Sequence, residues 1–315
     1  MASTGLSRAR QFGTLIGLLV LSAVLWALTP YFLTVSNLLN VAQQTSINAI
    51  VAAGMTFVIL SGGIDLSVGS IVALSGVVLG TLLKQGQPAP VAIVAALAVG
   101  LLCGLVNGAF VSRGGLPPFI VTLGMMSVAR GAALVFTEGR PVSGFDTGFR
   151  ALATGAIGFI PAPVVTMMAV YVVAHLALTR TTFGRYVYAI GGNEEATRLS
   201  GVRVGLHKAC IYGVCGLMSG VAAVILTARL DSAQPIAGMM YELDAIAATV
   251  IGGTSLMGGQ GTMAGTLVGA LIMGVLRNGL NLLGVSSFLQ QIVIGAVIVG
   301  AVLVDTLLKR NRGTV

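Results

Sequence analysis

Few side chains in this sequence could do chemistry, and they gather in a handful of places. Asp65 lies in Ser61-Gly62-Gly63-Ile64-Asp65-Leu66-Ser67-Val68-Gly69-Ser70, between two apolar runs. An ionisable group in that setting is costly and marks a substrate or ion path by default. The competing role is a helix cap: Asp65 or Ser67 can accept hydrogen bonds from the first free N–H groups of the helix that begins near Leu66. Capping is the expected role, and a cap beside a path would serve both. Glu242 and Asp244 open another apolar run in Tyr241-Glu242-Leu243-Asp244-Ala245-Ile246. Acidic residues there offset the helix dipole, so they too are read first as caps. Arg130 stands inside an apolar run and must pair, snorkel or line water. Asn107, Asn278 and Asn281 are amides within such runs and are expected to form hydrogen bonds between helices. In the basic segment 180–208, Asn193 is placed to cap a short helix with Glu194 and Glu195 in its first turn and Gly201 at its end.

Enzyme chemistry is missing from this set. No G-x-x-x-x-G-K-[ST] occurs, so the chain has no P-loop for ATP. No G-x-S-x-G, H-E-x-x-H or C-x-x-C occurs either. Cys103, Cys210 and Cys215 each sit in an apolar run, odd in number and without metal-like spacing. His175 and His207 fall near the ends of consecutive runs and read as interfacial residues rather than a metal pair. No catalytic residue, metal site or cofactor is expected, which leaves transporter or channel as the class.

The elements that must hold these residues follow from composition. Of 315 residues, 56% are apolar and 8% are charged, against roughly 25% charged in a soluble domain. So few charges cannot cover a water-soluble surface. The 44 glycines suit close packing of helices in lipid. The fold class is all-α: one polytopic transmembrane domain over residues 1–315. The net charge of +8 comes from basic residues at the ends of apolar runs. That pattern fixes orientation in a membrane, and no basic patch is present to bind nucleic acid.

A crossing helix needs about 20 apolar residues. Ten spans are expected, near 13–30, 44–61, 67–83, 90–111, 117–137, 161–179, 208–228, 243–257, 261–282 and 286–305. Eight is the alternative if the two short glycine-bounded ones are re-entrant. Arg8 and Arg10 precede the first span, and Lys309, Arg310 and Arg312 follow the last. Arg180, Arg185, Arg198, Arg203 and Lys208 fill 180–208. All three regions are expected to be cytoplasmic, and an even count puts both termini on that side. Lys84, Arg140, Arg150 and Arg229 fall outside, two of those loops also carrying Glu138, Asp146 and Asp231.

Six segments, in order, resemble the permease subunits of ATP-binding-cassette importers for monosaccharides, the ribose-type family. They are Gln43-Gln44-Thr45-Ser46-Ile47-Asn48-Ala49-Ile50, Gly63-Ile64-Asp65-Leu66-Ser67-Val68-Gly69, and Ala189-Ile190-Gly191-Gly192-Asn193 through Gly201. Then come Ser232-Ala233-Gln234-Pro235 with Tyr241 through Ala248, Gly252-Gly253-Thr254-Ser255-Leu256, and Asn278-Gly279-Leu280-Asn281-Leu282-Leu283-Gly284-Val285. The likeness covers roughly residues 30–307. Single motifs are weak; six in order are specific.

The resemblance implies a homodimer in the bacterial cytoplasmic membrane, with the path between two copies of the chain. It also implies a partner ATPase subunit with fused nucleotide-binding halves, a periplasmic sugar-binding protein, and a monosaccharide substrate, D-ribose first, with xylose and galactose in relatives. Gly184, Arg185, Gly191, Gly192, Asn193, Glu194, Glu195, Arg198 and Gly201 then match the ATPase-coupling loop. Gln43, Gln44 and Asn48 join Asp65, Ser67, Glu242 and Asp244 as path or cap candidates. The outer loops 138–160 and 229–242 are where the delivery protein is expected to dock. A self-sufficient secondary transporter is the alternative. The Gly62-Gly63 and Gly252-Gly253 turns hint at the repeats such proteins carry, although no further alignment joins the halves. A channel would need a filter-like sequence, and none appears.

Overall fold

A computed structural model describes residues 2–310, with side chains described for 13–300, 302 and 303. Arg312 and the side chains of Arg8, Arg10, Lys309 and Arg310 therefore lie outside the described residues. In chain order the first half holds α1 (Ala2–Leu28), α2 (Val35–Leu60), α3 (Val68–Lys84), α4 (Ala89–Ser112) and α5 (Pro118–Thr137). A small polar layer follows: β1 (Val142–Ser143), α6 (Thr147–Thr154), β2 (Ala156–Ile157) and β3 (Ile160–Pro161). The second half holds α7 (Ala162–Arg180), α8 (Thr182–Gly192), α9 (Glu194–Leu199), α10 (Val204–Leu230), β4 (Ser232–Ala233), α11 (Tyr241–Ile251), α12 (Met263–Leu282) and α13 (Ser287–Arg310).

Local sequence sets most of these boundaries. Prolines stand in the first turns of α4, α5 and α7, where a missing N–H costs nothing. Thr34, Thr181 and Thr262 accept a backbone N–H at the starts of α2, α8 and α12. Among the described residues, six helices are long and apolar enough to cross a membrane: α2, α4, α5, α7, α10 and α12. Shorter apolar stretches are Gly13–Leu28 of α1, Val68–Lys84 and Ser287–Gly300 of α13. The protein is an all-α, multi-pass membrane protein.

Two expected spans need correction. The second helix begins at Val35 rather than near 44. Its polar residues are absorbed by pairing: Asn37 and Asn278 exchange amide hydrogen bonds at 3.0 and 2.9 Å. The expected span 243–257 is helical only to Ile251. An 11-residue helix is about 16 Å long, half the hydrocarbon thickness. The chain beyond it turns repeatedly, with left-handed φ at Gly253, Gly258 and Gly259.

α2 lies at the centre, with 83% of its apolar window buried, whereas α4, α5 and α7 turn most of theirs outward. α2 and α10 run antiparallel, Gly54 against Cys215 and Gly63 against Tyr212. The halves then cross over: α3 and α4 pack on α10, while α11 and α12 pack on α2. Glycines make these approaches possible. A Cβ on Gly104 would overlap the Tyr212 carbonyl, one on Gly108 would reach the Ala209 backbone, and one on Gly269 would overlap the Ala248 carbonyl.

β1 and β4 pair antiparallel, Val142 with Ala233, tying the α5–α7 connection to the residues after α10. Asp231 secures the same join, accepting the N–H of Phe145 at 2.8 Å. Lys84, Glu138, Asp231 and α6 thus mark one end of the bundle. α8 and α9 mark the other.

Candidate functional site

At the second end, α8 is wedged between elements far apart in sequence. A Cβ on Gly184 would overlap the Leu178 carbonyl, and one on Gly191 would overlap the Leu60 carbonyl. These two glycines let α8 lie directly on the ends of α7 and α2. Gly259 donates its N–H to that same Leu60 carbonyl at 2.9 Å, and Tyr188 donates its hydroxyl to the Gly261 carbonyl at 2.9 Å. α8 is therefore joined to the end of α2 and to the connector between α11 and α12.

Asn193 closes α8 and caps α9, accepting the Ala196 N–H at 2.9 Å. Glu194 is occupied within the chain by Arg198 and Lys208. Glu195 pairs with Arg198 at 3.1 Å but stays largely exposed, as do Arg185, Gly192, Arg198 and Gly201. Leu199 is 80% exposed at the tip of α9. Leu199 is not legible in the sequence, because one leucine in a polar loop carries no periodic signal. Residues 182–192, expected as part of a loop, are helical. His207 stacks on Phe183 and meets Tyr186 edge-on in the same layer.

Asp65 sits in the turn between α2 and α3 and is fully buried. Its Oδ1 accepts the backbone N–H of Ser67 at 2.9 Å and the Ser67 hydroxyl at 2.6 Å. Asn107 of α4 donates to the same hydroxyl at 2.9 Å. The carboxyl thus shapes the turn that starts α3, and the chain Asp65–Ser67–Asn107 ties that turn to α4. Ser67 makes no side-chain cap of its own.

Asp244 does not cap α11. It reaches across to α12, accepting both bonds from Arg277 at 2.7 and 2.9 Å, and takes a third from Asn48 of α2 at 3.1 Å. Arg277 was not singled out from the sequence, since no spacing links it to Asp244, 33 residues away. Beside this triad is a cavity of about 20 Å³ lined by Gln44, Thr45, Asn48, Asp244 and Arg277 among others. That volume holds about one water. The buried Thr45 Oγ1 and Asn48 Oδ1 have no partner, so such a water has acceptors waiting. The cavity is too small for a sugar. Gln43 lies half-buried one residue before Gln44.

Arg130 of α5 donates through Nη1 to the carbonyls of Pro235 and Ala237, at 2.7 and 2.8 Å. It holds down the non-helical stretch that precedes α11. Glu242 is half-buried at the start of α11. Among the described residues no three His, Cys, Asp or Glu side chains are grouped to hold a metal ion. The arrangement offers a mechanical junction at one end and a polar, broken-helix region at mid-depth.

Residues 37–302 match the permease family described as "Branched-chain amino acid transport system / permease component". The ribose import permease of Escherichia coli K12 is 53% identical over 299 residues, covering 93% of this chain and 92% of its own. That of Bacillus subtilis is 49% identical, covering 94% and 92%. The galactose/methyl galactoside import permease of Escherichia coli is 38% identical, covering 96% of both. No solved structure matches. With a family match over most of its length and relatives this similar end to end, the chain belongs to this family of membrane transport permease components.

Proposed function

We propose that this chain is the transmembrane subunit of an ATP-binding-cassette importer for a monosaccharide, with D-ribose as substrate, working as a homodimer in the bacterial cytoplasmic membrane. The observation that carries the reading is 53% identity to a ribose import permease across 93% of the chain. The allose permease of Escherichia coli, at 39%, and the galactose permease, at 38%, are more distant. With no P-loop in the sequence, ATP hydrolysis falls to a partner subunit with fused nucleotide-binding halves.

The basic α8–α9 end is cytoplasmic on this reading, as are both termini. There are ten crossings, the eighth shared between residues 231–240 and the half-length α11. The ATPase docks on α9, whose exposed Leu199 and Glu195 face outward from the bundle. Its closure pushes α8 against the end of α2 and the α11–α12 connector, and so moves the broken region at mid-depth. A sugar-binding protein delivers substrate to the α6 end. A neutral sugar needs no charged counter-ion. Specificity then rests mainly with the delivery protein.

Half-helices and crossed halves are also features of self-sufficient transporters. Uptake of labelled D-ribose into proteoliposomes holding the chain, its ATPase and its binding protein separates the two. Ribose uptake that requires ATP on the nucleotide-binding side is expected. ATP-dependent uptake of a different monosaccharide would correct the substrate alone. Uptake by this chain alone, without ATP, would overturn the proposal.

The docking role has its own test. Glu195→Lys with Leu199→Arg is expected to weaken ATPase association by about tenfold or more, the scale of one lost interface anchor. The permease should remain folded and dimeric. Unchanged association and uptake would remove α9 from the interface.

A further inference from the structure

We infer that the non-helical stretch 234–240, with Arg130 and Glu242 beside it, lines a water-filled path through the membrane and contacts the transported sugar. The inference rests on the proposed importer function for the identity of the solute, but not for the position of the path.

The first argument is depth. Ala233 lies against Gly80 of α3, and Gly238 lies against Gly69. Those positions are eleven residues apart on a helix, about 16 Å. Asp244, one turn into α11, meets Asn48. Asn48 stands thirteen residues from the start of α2 and twelve from its end. The stretch therefore descends from the α6 end to the middle of the bundle.

The second argument is backbone. At that depth the chain is a run of turns, with left-handed φ at Gly238 (+70°) and at Met240 (+69°). One side is sealed on α3, where Gly69 and Gly238 touch backbone to backbone. The other side is open: Ile236 is 57% exposed, Met239 63% and Met240 38%. Irregular backbone does not face lipid, because its polar groups have no acceptor there; at membrane depth it is found only inside protein or along a water-filled cavity. Arg130 and Glu242, both half-buried on the same stretch, are subject to the same rule. The exposed residues of α4 such as Leu102 differ, since they stand on an intact apolar helix that lipid can cover.

Chemistry favours water and a passing solute over a permanent dry contact. Arg130, Glu242 and Gln234 offer donors and acceptors to hydroxyl groups. Met239 and Met240 offer soft, adaptable surface to the C–H face of a sugar ring. Asp65, the carboxyl that stands out most in the sequence, is fully buried in a turn and lines nothing.

Thiol accessibility tests this. Ile236→Cys and Met239→Cys are made separately, with Cys103 and Cys210 replaced by alanine and the buried Cys215 retained. Leu102→Cys is the lipid-facing control. Each is assembled with its partners in proteoliposomes and treated with a charged, membrane-impermeant methanethiosulfonate. Monodisperse elution in detergent before treatment establishes that a variant is folded, and either position suffices. Residues 236 and 239 are expected to react about tenfold or more faster than 102, because only a hydrated thiol ionises and reacts. Labelling should abolish uptake. Thiols as inert as that at 102, in a protein that still takes up ribose on ATP, would overturn the inference. So would a spontaneous 239–239 disulfide between copies without reaction with the reagent, which would make the face a dry contact. Loss of ATP-dependent uptake in the unmodified chain would instead sink the importer assignment, and the labelling pattern would still report on the path.

Discussion

At the scale of single residues, the two buried carboxyls hold different things together. Asp244 joins three helices, and its removal strands Arg277 and Asn48. Asp244→Ala is expected to lower stability by about 3 kcal/mol, the low end for breaking a buried ion pair, because Arg277 is one-third exposed. Thermal unfolding in detergent measures it. The double variant with Arg277→Met should lose less than the sum of the two single changes, since no charge is then left unpaired. Asp65 works through one oxygen, Oδ1, which accepts both bonds from Ser67. Asp65→Asn keeps that acceptor and should preserve folding and uptake, whereas Asp65→Ala should cost about 2 kcal/mol. Equal losses for the two substitutions would show that the charge itself is required. The sequence identified both carboxyls as notable because acids are rare in apolar runs. It did not reveal that Asp244 pairs with Arg277, or that Asn107 joins the Asp65–Ser67 turn, since both come from other helices and leave no trace in local spacing.

At the scale of elements, glycine spacing sets the packing. Gly100, Gly104 and Gly108 recur every fourth residue on α4 and meet α10 in turn, at Gly216 and Gly220, at Tyr212 and Gly213, and at Ala209. Gly104→Leu is expected to destabilise the fold by about 3 kcal/mol or more, because backbone cannot yield as a side chain can. Gly124→Ala on α5, where a Cβ meets nothing within 4 Å, should be neutral or slightly stabilising. Detergent-solubilised melting points for the pair provide the check. Among the described residues, six of the expected spans correspond to helices long and apolar enough to cross a membrane and three more to shorter apolar stretches, since hydropathy acts locally. The exception is α11. Its apolar run continues past Ile251, so hydropathy alone predicts a longer helix. Four glycines with positive φ from Gly253 to Gly261 end it instead, and the connector's bonds to Leu60 and Tyr188 hold the turns.

At the scale of the molecule, α8 contacts both the end of α2 and the α11–α12 connector, and on the proposed function this junction carries motion from one end to the middle. Tyr188→Phe deletes only the bond to the Gly261 carbonyl, worth about 1 kcal/mol. If the junction transmits motion, ribose delivered per ATP hydrolysed should fall several-fold while ATPase association stays the same. Parallel measurement of uptake and phosphate release reads that ratio. An unchanged ratio would mean that the hydroxyl serves packing alone.

The sequence by itself determined that the chain lives in a membrane, roughly where its helices lie, and, through six ordered motifs, which family it belongs to. Those properties are local: hydropathy over 20 residues, capping residues, turns set by glycine and proline. Only the tertiary structure decided that the hairpin α3–α4 packs on α10 and α11–α12 on α2, and that Asp244 belongs to Arg277. It alone showed that residues 234–240 descend to mid-depth with one side open. These depend on contacts between residues 30 to 240 positions apart. Helices that all bear apolar faces can meet in many ways, and the choice among them rests on which glycines and buried polar groups find each other in space.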